Sequence, residues 1–172
     1  IWKWQGSRTG MHFSPAAVWP VAAHNRVFIV APDRVLTALD ATTGESIWRT
    51  SESHVREMIG ISADGDRVYC KTMEDSVVCF SSTSAVPQKL WASSLDYGYE
   101  LMPSMLQEKD NVVFGSTMRG LIFALDAGTG EVLWKHKKSN SLINTVVPLS
   151  KNECLYTGSA GMVGLLRVEN KK

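Results

Sequence analysis

The chain has 172 residues, and 44% of them are hydrophobic, which is enough for one ordinary domain with its own core. Its 18 basic and 17 acidic residues leave a formal net charge of +1 and are mixed along the sequence. This balance argues against a nucleic-acid-binding or anionic-membrane surface. No apolar run approaches the roughly 18 residues that span a bilayer. We therefore expect no nucleic-acid partner and no membrane insertion.

Two further features of the composition bear on where the protein works. The chain begins at Ile1 rather than Met and shows no signal peptide, so we expect a processed chain or a piece of a longer protein. The chain has an odd number of cysteines, Cys70, Cys79 and Cys154, and none of them forms a CxxC pair. They fit neither a disulfide framework nor a zinc site, and we expect buried structural thiols.

The first predicted unit covers residues 5–48. A loop and a short run precede two segments rich in β-branched residues, at 27–30 and 35–39. Asp40 then opens a Thr-Gly turn that ends at Gly44, and Trp48 follows on the next strand. Asp can accept hydrogen bonds from the turn backbone, and Gly supplies the left-handed position of a hairpin. The unit therefore predicts four short strands joined by tight turns.

The same order recurs over residues 49–91, 92–134 and 135–172. Trp48, Trp91 and Trp134 follow one another at intervals of 43 residues. Asp126 and Gly130 repeat the first unit's turn in the third unit, whereas the second unit has a longer Ser-rich stretch in its place. The fourth unit stops after its third predicted strand, and residues 1–4 carry an Ile-Trp-Lys motif like the strand it lacks.

Repeats of about 40–45 residues with four strands each are typical of β-propeller blades. The sequence therefore predicts an all-β fold, a β-propeller of about four four-stranded blades in a single domain over residues 1–172. We expect the tryptophans to pack as wedges between adjacent sheets. Two arrangements remain open. Residues 1–4 complete the last blade of a closed four-bladed ring, or the chain is an arc of a larger propeller whose exposed apolar face favours self-association.

The motif Val113-Phe114-Gly115-Ser116, followed by residues 122–135 with their Leu-Asp-Ala and Thr-Gly-Glu-Val-Leu-Trp-Lys segments, resembles the pyrroloquinoline-quinone-type (quinoprotein-like) propeller repeat. The resemblance covers nearly the whole chain and is strongest in the first and third units. The family includes quinoprotein dehydrogenases, an outer-membrane assembly lipoprotein of Gram-negative bacteria, and propellers attached to other domains. It implies an exported bacterial protein in the periplasm or outside the cell.

The catalytic residues of the quinoprotein dehydrogenases have no counterparts in this chain. Those enzymes are similar to one another in having adjacent cysteines, and no Cys-Cys pair occurs here. Asp40 and Asp126 belong to the repeat turns, and we interpret Asp40, Gly44, Trp48, Trp91, Asp126, Gly130 and Trp134 as structural. We expect no catalytic residue and no cofactor.

The four histidines, His12, His24, His54 and His136, lie in predicted turns or strand ends without regularly spaced carboxylates. His12 and His54 occupy equivalent connections and could converge near the propeller axis. Surface histidines are the better interpretation, so no metal site is predicted.

The connections that follow the Trp strands differ from one repeat to the next and share one rim of a propeller. Aromatic, Arg and Glu side chains there have the composition of recognition surfaces. We predict that ligand or partner binding involves Phe13, Arg56, Glu57, Tyr97, Tyr99, Glu100 and Asn144. The alternative is that these residues fill the axis and cover the core.

Together, these features predict a non-catalytic binding or scaffold module, part of a larger exported protein. Its partner is another protein or an appended catalytic domain. Two alternatives stay open: a quinone- or metal-dependent oxidoreductase propeller, and a subunit in outer-membrane protein assembly.

Overall fold

A computed structural model describes residues 1–4, 19–31, 33–50, 55–100, 105–138, 142–159 and 161–169, excluding the side chains of Arg56 and Glu57. These residues form fifteen β-strands, and no helix among them could cross a membrane. Consecutive strands pair antiparallel in four separate sheets, which we call blades 1 to 4. The predicted all-β propeller architecture is confirmed.

Each blade is a simple meander, in which chain order is also the order across the sheet. Blade 1 contains β1 (Val21–Ala23), β2 (Arg26–Val30), β3 (Leu36–Asp40) and β4 (Ser46–Arg49). Blade 2 contains β5 (Val55–Ile61), β6 (Arg67–Thr72), β7 (Glu74–Ser81) and β8 (Lys89–Tyr99). Blade 3 contains β9 (Gln107–Lys109), β10 (Val112–Ser116), β11 (Leu121–Asp126) and β12 (Val132–Lys137). Blade 4 contains β13 (Ile143–Ser150), β14 (Glu153–Gly158) and β15 (Val163–Arg167).

The first strands of successive blades meet, β1 against β5, β5 against β9 and β9 against β13, and so mark the axial side. The core consists of three apolar clusters, one at each interface between consecutive blades. At the first interface, the ring of Trp48 lies 5.9 Å from that of Phe28 in its own blade and 6.4 Å from that of Phe80 in blade 2. A single sheet cannot bury its two apolar faces, so stacking of neighbours creates the core.

The repeat turns depend on one carboxylate each. Oδ1 of Asp126 accepts hydrogen bonds from the backbone N–H of Gly128 at 2.9 Å and of Thr129 at 2.8 Å, and Gly130 has a φ of 77°. Asp40 accepts the same two bonds at the turn of blade 1. These bonds hold the pKa of both carboxyl groups below the ordinary value of 3.8.

Three tryptophans pack against the corresponding turn of the next repeat and donate a hydrogen bond to it. The indole N–H of Trp91 donates to the Ala127 carbonyl oxygen at 3.0 Å, and a Cβ on Gly130 would lie 2.6 Å from its ring. Trp2 docks on blade 1 in the same way, with its N–H 2.9 Å from the Ala41 oxygen. Trp48 donates to the Ser84 oxygen of blade 2 at 3.1 Å. Trp48 and Trp91 therefore tie their blades to the next.

Blade 4 departs from this pattern. Within the described part of the chain it has three strands, and β15 lies at an unpaired edge. Nε1 of Trp134 is buried and has no hydrogen-bond partner among the described residues. Residues 1–4 contact blade 1 and form no strand.

Candidate functional site

The predicted binding residues with described side chains, Tyr97, Tyr99, Glu100 and Asn144, lie at one rim of the propeller, which we call the upper rim. It consists of the connections between blades and the turns that join the second and third strands within each blade. The connection that follows β8 and the β6–β7 turn lie side by side, because the N–H of Glu100, directly after β8, donates to the Met73 carbonyl oxygen in that turn at 2.9 Å. The opposite, lower rim carries the Asp-Thr-Gly turns.

The structure places the seven predicted residues unequally. Phe13 lies outside the described residues, and the side chains of Arg56 and Glu57, on β5, also lie outside the description. Asn144 is exposed on β13 of blade 4. Tyr97, Tyr99 and Glu100 come together at the end of β8. Binding by these residues stays a prediction, and only this last group has a described environment.

Tyr97 anchors the end of β8. Its ring is buried, and its hydroxyl lies 2.7 Å from the Thr72 carbonyl oxygen and 2.8 Å from that of Ser76. Burial raises the pKa of Tyr97 far above its ordinary value, so the hydroxyl remains a donor. Asp75 completes the anchor by accepting hydrogen bonds from the N–H groups of Tyr97 and Gly98. Because of these bonds, β8 continues as far as Tyr99. The sequence predicts the repeat boundary at residue 91, eight residues earlier.

Glu100 takes part in a buried ion pair with Lys71 of the same blade, beside the interface between blades 2 and 3. Its Oε2 lies 3.4 Å from Nζ of Lys71, and the two side chains are 1% and 0% exposed. Lys71 also donates to the Ser116 carbonyl oxygen at 2.9 Å, and Glu100 accepts from the Met118 N–H at 2.9 Å. Buried charges persist when they are paired and hydrogen-bonded. Glu100 is therefore held away from solvent, and it joins the two blades.

Sequence reasoning overlooked Lys71. The sequence offers one indication of its role: Lys71 directly follows the apolar residues Val68-Tyr69-Cys70 on β6, and a cation on such a buried strand needs a partner. Tyr99, in contrast, is 55% exposed and lies at the end of this rigid segment. The aromatic surface of Tyr99 is available at the upper rim.

A groove opens beside this segment, between the outer strands of blades 2 and 3. Its cavity volume is about 500 Å³, and its lining residues are Leu95, Asp96, Tyr97, Thr117, Arg119, Leu121, Lys135 and Lys137. We call it the interblade groove. The sequence analysis also missed its cations, although Lys135 and Lys137 share one face of β12 because side chains alternate along a strand.

A second cavity, of about 270 Å³, lies on the axial side. Its lining residues come from the start of blade 1, from β5 and from the start of blade 3: Trp19, Pro20, Val21, Ile59, Gly60, Ile61, Met105, Leu106, Gln107 and Glu108. Glu108 accepts a hydrogen bond from the buried Tyr69 hydroxyl. The Glu108 carboxylate is thus hydrogen-bonded across the interface between blades 2 and 3.

The remaining polar candidates do not assemble into a reactive centre in the described structure. His24 pairs with Asp66 at 2.9 Å, His136 is exposed on β12, and His12 and His54 lie outside the description. No group of three or more His, Cys, Asp or Glu residues converges on a common point in the described ranges. Burial raises the pKa of the Cys79 thiol to about 12 and that of Cys154 to about 11.

Comparisons with known proteins agree with the repeat type. A family model described as outer membrane protein assembly factor BamB matches residues 3–81. BamB of Salmonella typhimurium is 26% identical over 144 residues, which are 84% of this chain and 35% of that protein. The chain thus spans about a third of the length of the curated relatives it matches.

Two solved structures share the fold. The crystal structure of BamB from Moraxella catarrhalis superposes with a TM-score of 0.69 at 16% identity, over 87% of this chain and 44% of that one. The computationally designed Ika4 protein superposes with a TM-score of 0.70 at 19% identity, over 87% and 89%.

Proposed function

We propose that this chain, which is built from pyrroloquinoline-quinone-type propeller repeats, is a non-catalytic scaffold that binds a protein partner at its upper rim. The observation that carries this proposal is the rigid segment at the end of β8. There Tyr97 is held by hydrogen bonds within blade 2 and Glu100 accepts a hydrogen bond from blade 3, while Tyr99 stays exposed beside them. Rigid aromatic side chains make effective contact residues because little conformational entropy is lost on binding.

Site-specific photocrosslinking tests this proposal in the source cells. A photoreactive residue in place of Tyr99, on the upper rim, is expected to capture a defined protein. The matched control places the same residue at Lys109, an exposed position next to the lower rim. Equal capture at both positions, or none at position 99, would contradict binding at the upper rim. A new absorbance band on titration with a quinone and calcium would contradict the non-catalytic role.

A more specific candidate is a subunit in outer-membrane protein assembly. Its support is the family match over residues 3–81 and the low-identity relatives, which carry the name outer membrane protein assembly factor. On this hypothesis the chain works in the periplasm or at the cell surface. The crosslinked partner is then a transmembrane-barrel protein or a component that acts on one. A cytoplasmic partner would argue against this candidate.

Self-association and an appended domain are further possibilities for the apolar face of blade 4. Val147, Leu149, Val163 and Leu165 are between 41% and 69% exposed, and Val147 and Leu165 flank Leu155 across the three strands. Contiguous exposed apolar surface of this kind is normally covered. We propose that a further blade packs on this face, and that a second copy takes this role when residues 1–172 are isolated.

A further inference from the structure

The interblade groove combines an apolar floor with a cationic border. Leu121 of β11 is half-buried and supplies aliphatic surface, Leu95 of β8 lines the groove from within the core, and the side chains of Arg119, Lys135 and Lys137 supply three positive charges. Its volume of about 500 Å³ lies within the range of pockets that hold ligands. Asp96 is the one acidic residue among the described residues of the lining.

The two lysines are oriented by groups that leave most of their charge uncompensated. Nζ of Lys135 donates to the Leu95 carbonyl oxygen at 3.2 Å, and Nζ of Lys137 donates to the Arg119 carbonyl oxygen. Carbonyl oxygens fix the direction of an ammonium group but carry no net charge. Asp96 lies 3.4 Å from Lys135 and is 83% exposed, so solvent screens this pair.

Arg119 adds a third cation at the border. It is exposed, and its guanidinium has no ion-pair partner in the described part of the chain. Its five N–H donors, in a planar fork, are suited to a carboxylate.

Protection of an edge strand is the competing explanation for the two lysines. β12 is the outermost strand of blade 3, and lysines on such strands discourage pairing with another chain. That role requires charge on the strand but does not require three cations around one cavity. In blade 1, the cation of the outer strand, Arg49, is neutralised by Asp33. The cations of the groove therefore call for an anionic occupant.

We propose that the interblade groove binds an acidic peptide segment of a protein partner. An aliphatic side chain packs on the half-buried Leu121, and a neighbouring Asp or Glu carboxylate accepts hydrogen bonds from Arg119 and the lysines. The apolar floor favours a peptide over a simple anion. The low net charge of +1 and the burial of Tyr97 argue against a nucleic acid, which needs broad basic surface and exposed stacking rings. This inference rests on the proposed protein-binding function.

Fluorescence anisotropy provides the test. The probe is a fluorescein-labelled peptide, Gly-Ser-Leu-Asp-Leu-Glu-Gly, and its control carries Asn and Gln in place of Asp and Glu. The wild-type protein is expected to bind the acidic probe, to bind the amide probe at least about tenfold more weakly, and to lose affinity as salt rises.

Arg119→Glu is the decisive variant, since removing an exposed side chain without an ion-pair partner leaves the fold intact. Affinity for the acidic probe should fall by about tenfold or more, the effect of roughly one charge-assisted hydrogen bond. Lys109→Glu makes the same change in net charge next to the lower rim and should leave binding unchanged. Equal losses in both variants, no binding of the acidic probe by the wild type, or equal displacement by inorganic phosphate at matched ionic strength would each overturn the inference.

The crosslinking result separates this inference from the proposed function. If capture at position 99 persists while the acidic probe binds Arg119→Glu as well as the wild type, the acidic-peptide site is wrong and the scaffold function stands. If capture is absent as well, the proposed function fails.

Discussion

Lys71 and Glu100 show how a single pair of residues joins two blades. Both charges are excluded from water, and each also binds a backbone group of blade 3. Desolvation makes such a pair a weak source of net stability, but the loss of one partner leaves a buried charge uncompensated. The pair therefore fixes the relative position of the blades.

Glu100→Gln should consequently lower the free energy of unfolding by about 3–5 kcal/mol, because Lys71 remains buried and charged. The double variant Lys71→Met/Glu100→Gln should recover a large part of that loss. Urea unfolding followed by circular dichroism measures both quantities. A single variant within about 0.5 kcal/mol of the wild type, the usual range of surface substitutions, would contradict the structural role.

Asp126 makes stability depend on pH. Hydrogen bonds from the Thr129 and Gly128 backbone lower its pKa in the folded state below 3.8, the value expected on unfolding. Its contribution is therefore complete above pH 3.8 and is lost as pH falls through the lower native pKa. Asp126→Asn should weaken the acid-induced loss of stability, as measured by urea midpoints at neutral and acidic pH. An unchanged pH profile would show that this carboxylate does not contribute.

Among the elements, the outer strands differ from one another in how their Trp is held. Trp91 donates its indole N–H across the interface, whereas Nε1 of Trp134 has no acceptor among the described residues. Both rings pack on an aromatic neighbour of their own blade, with centroids 5.9 Å and 5.8 Å apart. The ring contact within the blade is thus similar, while Trp91 is more deeply buried than Trp134 and has the additional hydrogen bond.

Trp91→Phe should therefore cost about 1 kcal/mol more than Trp134→Phe, the net value of one hydrogen bond. Denaturant unfolding of the two variants side by side provides the comparison. A larger cost at Trp134 would mean that its indole N–H is satisfied in solution by a group outside the described residues.

The strand pattern and the turns could be predicted because they depend on neighbours in sequence. Asp126, Gly130 and Trp134 reveal a hairpin through spacing alone. Lys71 and Glu100 are 29 residues apart and are each bound by a backbone group of blade 3, and no local pattern encodes how the two blades meet there. The extension of β8 to Tyr99 depends in the same way on Asp75, which lies in a different turn. For this reason Glu100 was predicted to be a binding residue and Lys71 was overlooked.

For the whole molecule, the described blades form three packed interfaces and leave one face of blade 4 exposed. The choice between ring and arc could not be made from sequence because repeats in either arrangement make the same local contacts. The apolar row on β13 and β15 needs cover, from a second copy or from further blades.

The isolated chain 1–172 should accordingly self-associate, and sedimentation equilibrium should give a mass well above 19.0 kDa. Val163→Lys/Leu165→Lys places two charges on the exposed face and should shift the protein towards the monomer. Lys109→Glu serves as a control outside that face. A wild-type monomer at all concentrations would show that the face is covered within the chain.

The contact between each Trp and the turn of the following repeat also bears on how such a chain grows in evolution. Trp48 and Trp91 each donate to a carbonyl oxygen 36 residues further along the chain, in the following repeat, so duplication of one full period brings a new donor and a new acceptor together. The gene can therefore gain or lose whole periods without a new kind of contact, and blade number can vary in this way.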